Sequence, residues 1–325
     1  MDEFRTELNL KPAEHKISLH HPMITLGSCF ADSIGQKLQV SKFSVSSNPF
    51  GTIYNPISIH KLLLQSIYNQ PPLDHTYLQN QDIALNYDFH SEFAGAAKNE
   101  LETKIKVTVG HTHHFLKKAK FLFLTYGTSW VYERLDTGEV VANCHKMASQ
   151  QFKKSLLTQK KILESFDETY KKLKNFNPEI RIILTVSPVR HLKDTLELNS
   201  VSKSILRLTC HTLSELYSDV EYFPAYEILL DDLRDYRFYS SDLIHPTPDA
   251  INYIWKKFAA KYFDLETKIF LDEWQEVAKA ISHKPFQPSS KSHQNFLRET
   301  LNRLQELKSK VNVSEEIKFI EEQII

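Results

Sequence analysis

Short apolar runs that each stop at a turn residue constrain this chain most. Met23-Ile24-Thr25-Leu26 ends at Gly27-Ser28, and the extended stretch Phe43 to Ser47 ends at Asn48-Pro49-Phe50-Gly51. Phe121 to Tyr126 runs into Gly127, and Ile180 to Val186 runs into Ser187-Pro188. Runs of this length bounded by Gly, Ser and Pro read as strands. Helical spacing lies between them: Ile34 and Leu38 follow the first turn, Phe152 to Leu173 is patterned as a helix, and Leu206 to Tyr217 precedes the strand-like Val220 to Phe223. Alternating strands and helices imply an α/β fold, a parallel sheet with helices on both faces.

Trp130 to Leu135 and Glu139 to Ala142, joined by Asp136-Thr137-Gly138, predict a hairpin inserted after the Gly127 turn, over the carboxyl ends of the strands. Thr247-Pro248 suits an N-cap and first helical residue, so a helix should run to about Tyr262 and close the α/β core. Beyond it Phe270, Trp274, Val277 and Ile281 recur at helical spacing. Pro285 and Pro288 mark a linker, and Leu297, Leu301, Leu304 and Val311 resume the pattern. The division expected is a domain at 1–265 and a helical extension at 266–325, whose seams pack back on the domain or form a homodimer.

Lys plus Arg number 40 and Asp plus Glu 40, so charge gives no reason to expect nucleic acid or an anionic membrane as partner. With 41% hydrophobic residues the 325-residue chain can bury a large core. The start, Met1 to Glu7, is charged where a signal peptide needs an apolar segment, and no apolar run approaches the roughly 20 residues of a membrane span. Cys29, Cys144 and Cys210 are too scattered for a disulfide framework. A cytoplasmic location follows as the expectation.

In an open α/β sheet, ligands bind outside the carboxyl ends of the strands. A serine on a strand-to-helix turn there, such as Ser28, should expose its hydroxyl and aim its own N–H into the same cavity, as a nucleophile needs. It still requires a base. Asp242 and His245, three residues apart in a loop, can supply carboxylate and imidazole, the first orienting the second. The plainer readings are a helix N-cap for Ser28 and an Asx turn for Asp242.

The string Gly27-Ser28-Cys29-Phe30-Ala31 together with Asp242-x-x-His245-Pro246 resembles the GSCFA-domain family, within the broad class of SGNH or GDSL-type hydrolases, over roughly residues 10 to 265. Asn48 to Pro56, Asp88 to Ser91, Gly127 to Trp130, Asn143 to Lys146 and Ser187 to His191 strengthen the likeness. The resemblance implies a three-layer α/β/α sandwich with a flavodoxin-like parallel sheet, Ser28 as nucleophile, His245 as base and Asp242 as its orienter. It also implies an oxyanion hole made by the Ser28 N–H, a glycine N–H, a role Gly51 fits, and an asparagine. Ser129 stands where that asparagine would be. Its hydroxyl, Asn48 or Asn55 can donate instead.

Arg190 and His191 directly follow a strand, where Arg can hold a substrate oxygen, and His145 follows the hairpin; all three are candidate substrate contacts. His90 and Ser91 can cap the cleft. The Cys29 thiol should pack away from Ser28. His111, His113 and His114 read as a solvated turn with no metal, and the chemistry needs neither metal nor other cofactor. The function expected is a serine esterase that removes an O-acyl or acetyl group from a carbohydrate or related small molecule. The alternatives are an O-acyltransferase using the same acyl-serine and a catalytically silent interaction module.

Overall fold

A computed structural model describes residues 5–325; the first four residues of the charged start lie outside them. The chain runs β1 (Met23–Gly27), α1 (Cys29–Val40), β2 (Val45–Ser47), α2 (Pro56–Tyr68), a hairpin of β3 (Tyr77–Asn80) and β4 (Ile83–Asn86), α3 (Lys98–Lys118) and β5 (Phe121–Tyr126). Then come β6 (Trp130–Arg134), β7 (Val140–Val141), β8 (Phe152–Leu156), α4 (Gln159–Phe176), β9 (Arg181–Val186), α5 (Thr195–Leu216) and β10 (Val220–Tyr222). A short α6 (Ala225–Glu227) continues into a π-helical turn over Ile228–Leu233. The last four helices are α7 (Pro248–Tyr262), α8 (Leu265–Ser282), α9 (Lys291–Leu307) and α10 (Ser314–Glu321).

The central sheet has the order β10-β9-β5-β1-β2, and every pairing in it is parallel. Counting only these strands along the chain, the order is the flavodoxin-like 2-1-3-4-5, whose switch point lies between β1 and β5. Both strand faces are apolar because both are covered. Ile24, Leu26, Leu122, Leu124, Ile182 and Leu184 pack with α2 to α5. Met23, Phe121, Phe123 and Ile183 face the other way, into a cluster with α1, α7 and the C-terminal helices. This is the three-layer sandwich expected.

The C-terminal helices pack on the α1 and α7 side. Phe270, Trp274, Val277, Leu297 and Leu304 are buried there, and the Trp274 indole N–H donates to the Val40 carbonyl at 2.7 Å. Among the described residues no helix is long and apolar enough to cross a membrane.

Two local expectations are corrected. Phe152 to Leu156 is a strand rather than the start of a helix: it pairs antiparallel with β6, making a three-stranded β7-β6-β8 sheet of the expected hairpin. Phe152 and Leu156 stand four apart, a spacing that suits a helix face and a strand face alike; the helix begins only after Thr158, whose side chain caps it. His111, His113 and His114 lie on α3, not in a turn. Leu101, Ile105, Val109, Thr112 and Leu116 form its buried stripe, and the His113 ring donates to the Ser66 carbonyl at 2.9 Å.

Candidate active site

Ser28 sits where β1 becomes α1, at the switch point. The turn needs Gly27, which adopts φ +136° and lies so close to β5 that a β-carbon there would fall 2.1 Å from the Thr125 carbonyl oxygen. Ser28 is the N-cap of α1, its Oγ accepting from the Phe30 N–H at 3.4 Å. Contrary to the exposed hydroxyl expected, Ser28 is fully buried, and its own N–H donates to the Thr125 carbonyl at 3.1 Å. Both changes come from the tight seating of Gly27 on β5, which draws the turn beneath its neighbours.

The other expected oxyanion donors are also engaged. The Gly51 N–H donates to the Asn48 carbonyl at 2.8 Å, under His90. Asn48 accepts from the Gly27 N–H at 2.8 Å and donates to Asp32 at 2.7 Å, which ties the 48–52 loop to α1. Asn55 caps α2 through the Ser58 N–H at 2.8 Å and donates to the Ser58 hydroxyl at 3.0 Å. Ser129 turns toward α5: its N–H donates to Ser202 Oγ at 2.8 Å and its hydroxyl to the Ser202 carbonyl at 3.2 Å. A buried polar group is normally paired, so these side chains first serve the fold.

The Asp242 loop is built as a unit. Asp242 Oδ1 accepts from the N–H groups of Ile244 at 2.8 Å and His245 at 3.0 Å, while Oδ2 lies 2.7 Å from His245 Nδ1. The two amides and the ring hold the Asp242 carboxyl down at about 2. So Asp242 forms an Asx turn and also holds the ring Nδ1 of His245. The Ser240 N–H donates to the His245 carbonyl, and the Arg190 N–H to the Ile244 carbonyl, fastening the loop to the end of β9. His245 is about half exposed, and among the described residues no hydrogen bond joins it to Ser28.

A cleft of about 330 Å³ opens beside these turns, lined by Tyr54, Asn55, Thr128, Trp130, Arg190, His191 and Ile244 among others. Arg190 forms its edge. The guanidinium stacks on Tyr239 at 3.8 Å and donates to the Leu243 carbonyl at 3.4 Å, so it pins the Asp242 loop. A hollow of about 480 Å³ on the other side of Arg190, lined by Arg234, Tyr236 and Tyr239, has no Ser28-turn residue in its wall. His191 enters the cleft edge-on to Tyr54. His145 does not line this cleft: it is buried with Nε2 on the Asn86 carbonyl at 2.7 Å, bracing the loop after β4. Cys29 Sγ lies 3.7 Å from the Tyr54 hydroxyl, directed to that side chain.

Lys203 is the residue that sequence reasoning missed. It is fully buried, donates to the carbonyls of Gly127 and Ser187 at 2.7 Å each, and is pushed down to about 7 by burial. One amine thus ties together the carboxyl ends of β5 and β9. The signal was present, because Lys203 precedes Leu206, Cys210 and Leu213 at the spacing of a buried helix face.

Fold and site define an α/β protein of flavodoxin-like strand order, with a serine-capped turn at its switch point and an Asp–His loop at the same end of the sheet. The sequence model of the GSCFA family matches residues 22–258, and the chain belongs to that family. The model described as GSCFA domain protein, C-terminal domain, matches residues 274–325. No curated protein matches the sequence.

Proposed function

We propose that this protein is a serine esterase of the SGNH/GDSL type, acting on an O-acyl group, acetyl foremost, of a carbohydrate or related small molecule. Ser28 Oγ attacks the acyl carbon and its proton passes to His245 Nε2, while Asp242 holds Nδ1. Collapse of the tetrahedral intermediate breaks the ester bond, His245 returns the proton to the leaving alcohol, and the acyl group stays on Ser28. Water then attacks with its proton taken by His245, and the acid leaves as Ser28 recovers its proton. The observation that carries the reading is the Asp242–His245 pair at 2.7 Å, anchored by two amides at the carboxyl end of the sheet that also holds Ser28.

The chemistry requires that the cleft open over Ser28 when substrate enters, bringing His245 to it. Lid and loop movements of this kind are common in enzymes. The opposite reading, a silent domain, draws on the same burial of Ser28 and on the engaged amides. A fluorophosphonate probe separates them. Covalent labelling of Ser28 that disappears in His245→Ala supports the esterase; an unlabelled, folded protein without acyl-ester turnover supports the silent domain. Where Ser28 labels, turnover of an acyl ester by unlabelled protein in the presence of a sugar alcohol then distinguishes acyl transfer from hydrolysis by the product formed.

A further inference from the structure

We propose that His191 is an oxyanion donor of this site: its neutral ring presents Nε2–H to the carbonyl oxygen of the acyl group as Ser28 attacks. The proposal rests on the esterase reading and adds a catalytic residue to it. It starts from a shortage. The N–H groups of Ser28 and Gly51 are bonded to carbonyls, and Ser129, Asn48 and Asn55 are committed to the fold. A site that develops negative charge on oxygen needs a donor aimed at that position before reaction.

His191 Nε2 is such a group without an assignment. It is buried and has no hydrogen-bond partner, an arrangement that costs free energy unless a ligand completes it. It also faces the correct place. A β-carbon added to Gly127 would lie 3.1 Å from the Tyr54 carbonyl oxygen, 3.2 Å from Ser28 Cβ and 3.3 Å from His191 Nε2, so serine and imidazole border one narrow space over the glycine, which the opening of the cleft must widen for an acyl oxygen. The His191 N–H is fixed to Asn199 Oδ1 at 2.9 Å, and Tyr54 meets the ring edge-on with centroids 5.3 Å apart. The ring is held at the cleft wall without its Nε2 being used.

The charge state suits a donor rather than a base. Burial first, then the positive charges of Lys203 and His245, push the His191 imidazole down to about 3, so it stays neutral wherever an esterase would work. Among the described residues no carboxylate or carbonyl bonds its Nδ1, whereas His245 has Asp242 for that purpose. A neutral imidazole polarising a carbonyl is an established use of histidine. The Lys203 ammonium, when protonated, sits behind Gly127 and adds positive potential on the same side.

The test uses the full chain and p-nitrophenyl acetate, comparing wild type with His191→Ala, His191→Met and His191→Gln. Loss of one oxyanion donor is expected to lower kcat by about 10²–10³ in the Ala and Met variants, with KM within a few-fold. His191→Gln carries a carboxamide N–H and should recover at least about tenfold of that loss. The midpoint of the pH–rate profile should stay where the wild type has it. Two results overturn the proposal while leaving the esterase reading intact: an active wild type whose Ala and Met variants keep their kcat, or a Gln variant no better than Met. An acid limb that vanishes with His191 overturns it by making His191 the base in place of His245. If wild type neither turns over the ester nor labels at Ser28, both fall together. Met and Gln preserve side-chain bulk, so their comparison stands even if the Ala variant does not fold.

Discussion

The two halves of the proposed catalytic machinery are held by opposite means. Ser28 belongs to the interior: Gly27 is wedged against β5, Asn48 bonds Gly27, the Ser28 N–H bonds Thr125, and the side chain is fully buried. Asp242 and His245 belong to the surface, each nearly half exposed; the pair is ordered within the loop, through Asp242 Oδ1 on two amides and Oδ2 on the imidazole, and Arg190 fastens the loop to the end of β9. Ser28 is therefore positioned by packing, His245 by a few hydrogen bonds within its loop. Local order of the second kind can travel as a unit when the loop moves, because the carboxylate and imidazole keep each other. That difference makes the loop, rather than the sheet, the part expected to shift when substrate binds.

The largest expected effect tests the interior half. Ser28→Ala should abolish acyl-ester turnover, by ~10⁴ or more, as loss of a nucleophile does elsewhere. The serine also caps α1, but at 3.4 Å from the Phe30 N–H, so the stability cost should stay near the lower end of the ~0.5–2 kcal/mol typical of a lost cap. Turnover assays and thermal melts on one preparation check both. Turnover that survives in a folded variant would move the nucleophile elsewhere, Cys29 being the adjacent candidate.

A smaller effect tests the surface half. Asp242→Asn keeps an oxygen for the amides of Ile244 and His245 but lets the imidazole turn over or take the other tautomer; in a protease triad this substitution costs ~10⁴ in kcat. A loss of ~10²–10³ is expected here, because the loop backbone still holds His245 through Ser240. In wild type the Asp242 carboxyl is depressed to about 2, so it is ionised throughout the usual assay range. By linkage its contribution to loop order is complete above about pH 4, its ordinary range, and is lost as pH falls toward 2. An acid limb in the rate profile near neutrality therefore belongs to another group. Kinetics of Asp242→Asn equal to wild type would reduce Asp242 to a turn residue and leave a Ser–His dyad.

What the residues revealed follows the same division between local and long-range order. Gly27-Ser28 and Asp242-x-x-His245 could be read because each is determined within a few residues, and the strand ends at Gly127 and Ser187 because turn chemistry is local. The sheet order followed from alternation together with the family resemblance. What escaped depended on partners distant in sequence. Burial of Ser28 comes from β5, nearly a hundred residues later. The Phe152–Leu156 strand exists because β6 is there to pair with it. Donors expected to face the cleft were instead claimed by neighbours such as Ser202, on a helix whose first turns the apolar pattern did not reveal.

The smallest effect sharpens the comparison by asking how firmly the interior half is pinned. Lys203 gives two N–H groups to the carbonyls of Gly127 and Ser187, which a neutral amine can supply in full. Its amine is held at about 7 in the folded chain, against ~10.4 in an unfolded one. Between those values the unfolded state binds more protons, so this group makes stability rise with pH across that window, whereas below it both states are protonated and its contribution is flat. Lys203→Met removes the titration and leaves both carbonyls without that donor. The excess in Tm of wild type over Lys203→Met should therefore be least near pH 6.5 and widen toward pH 9.5, measured at fixed ionic strength. A constant gap would mean that Lys203 stays protonated in the fold and pins the strand ends as an ammonium.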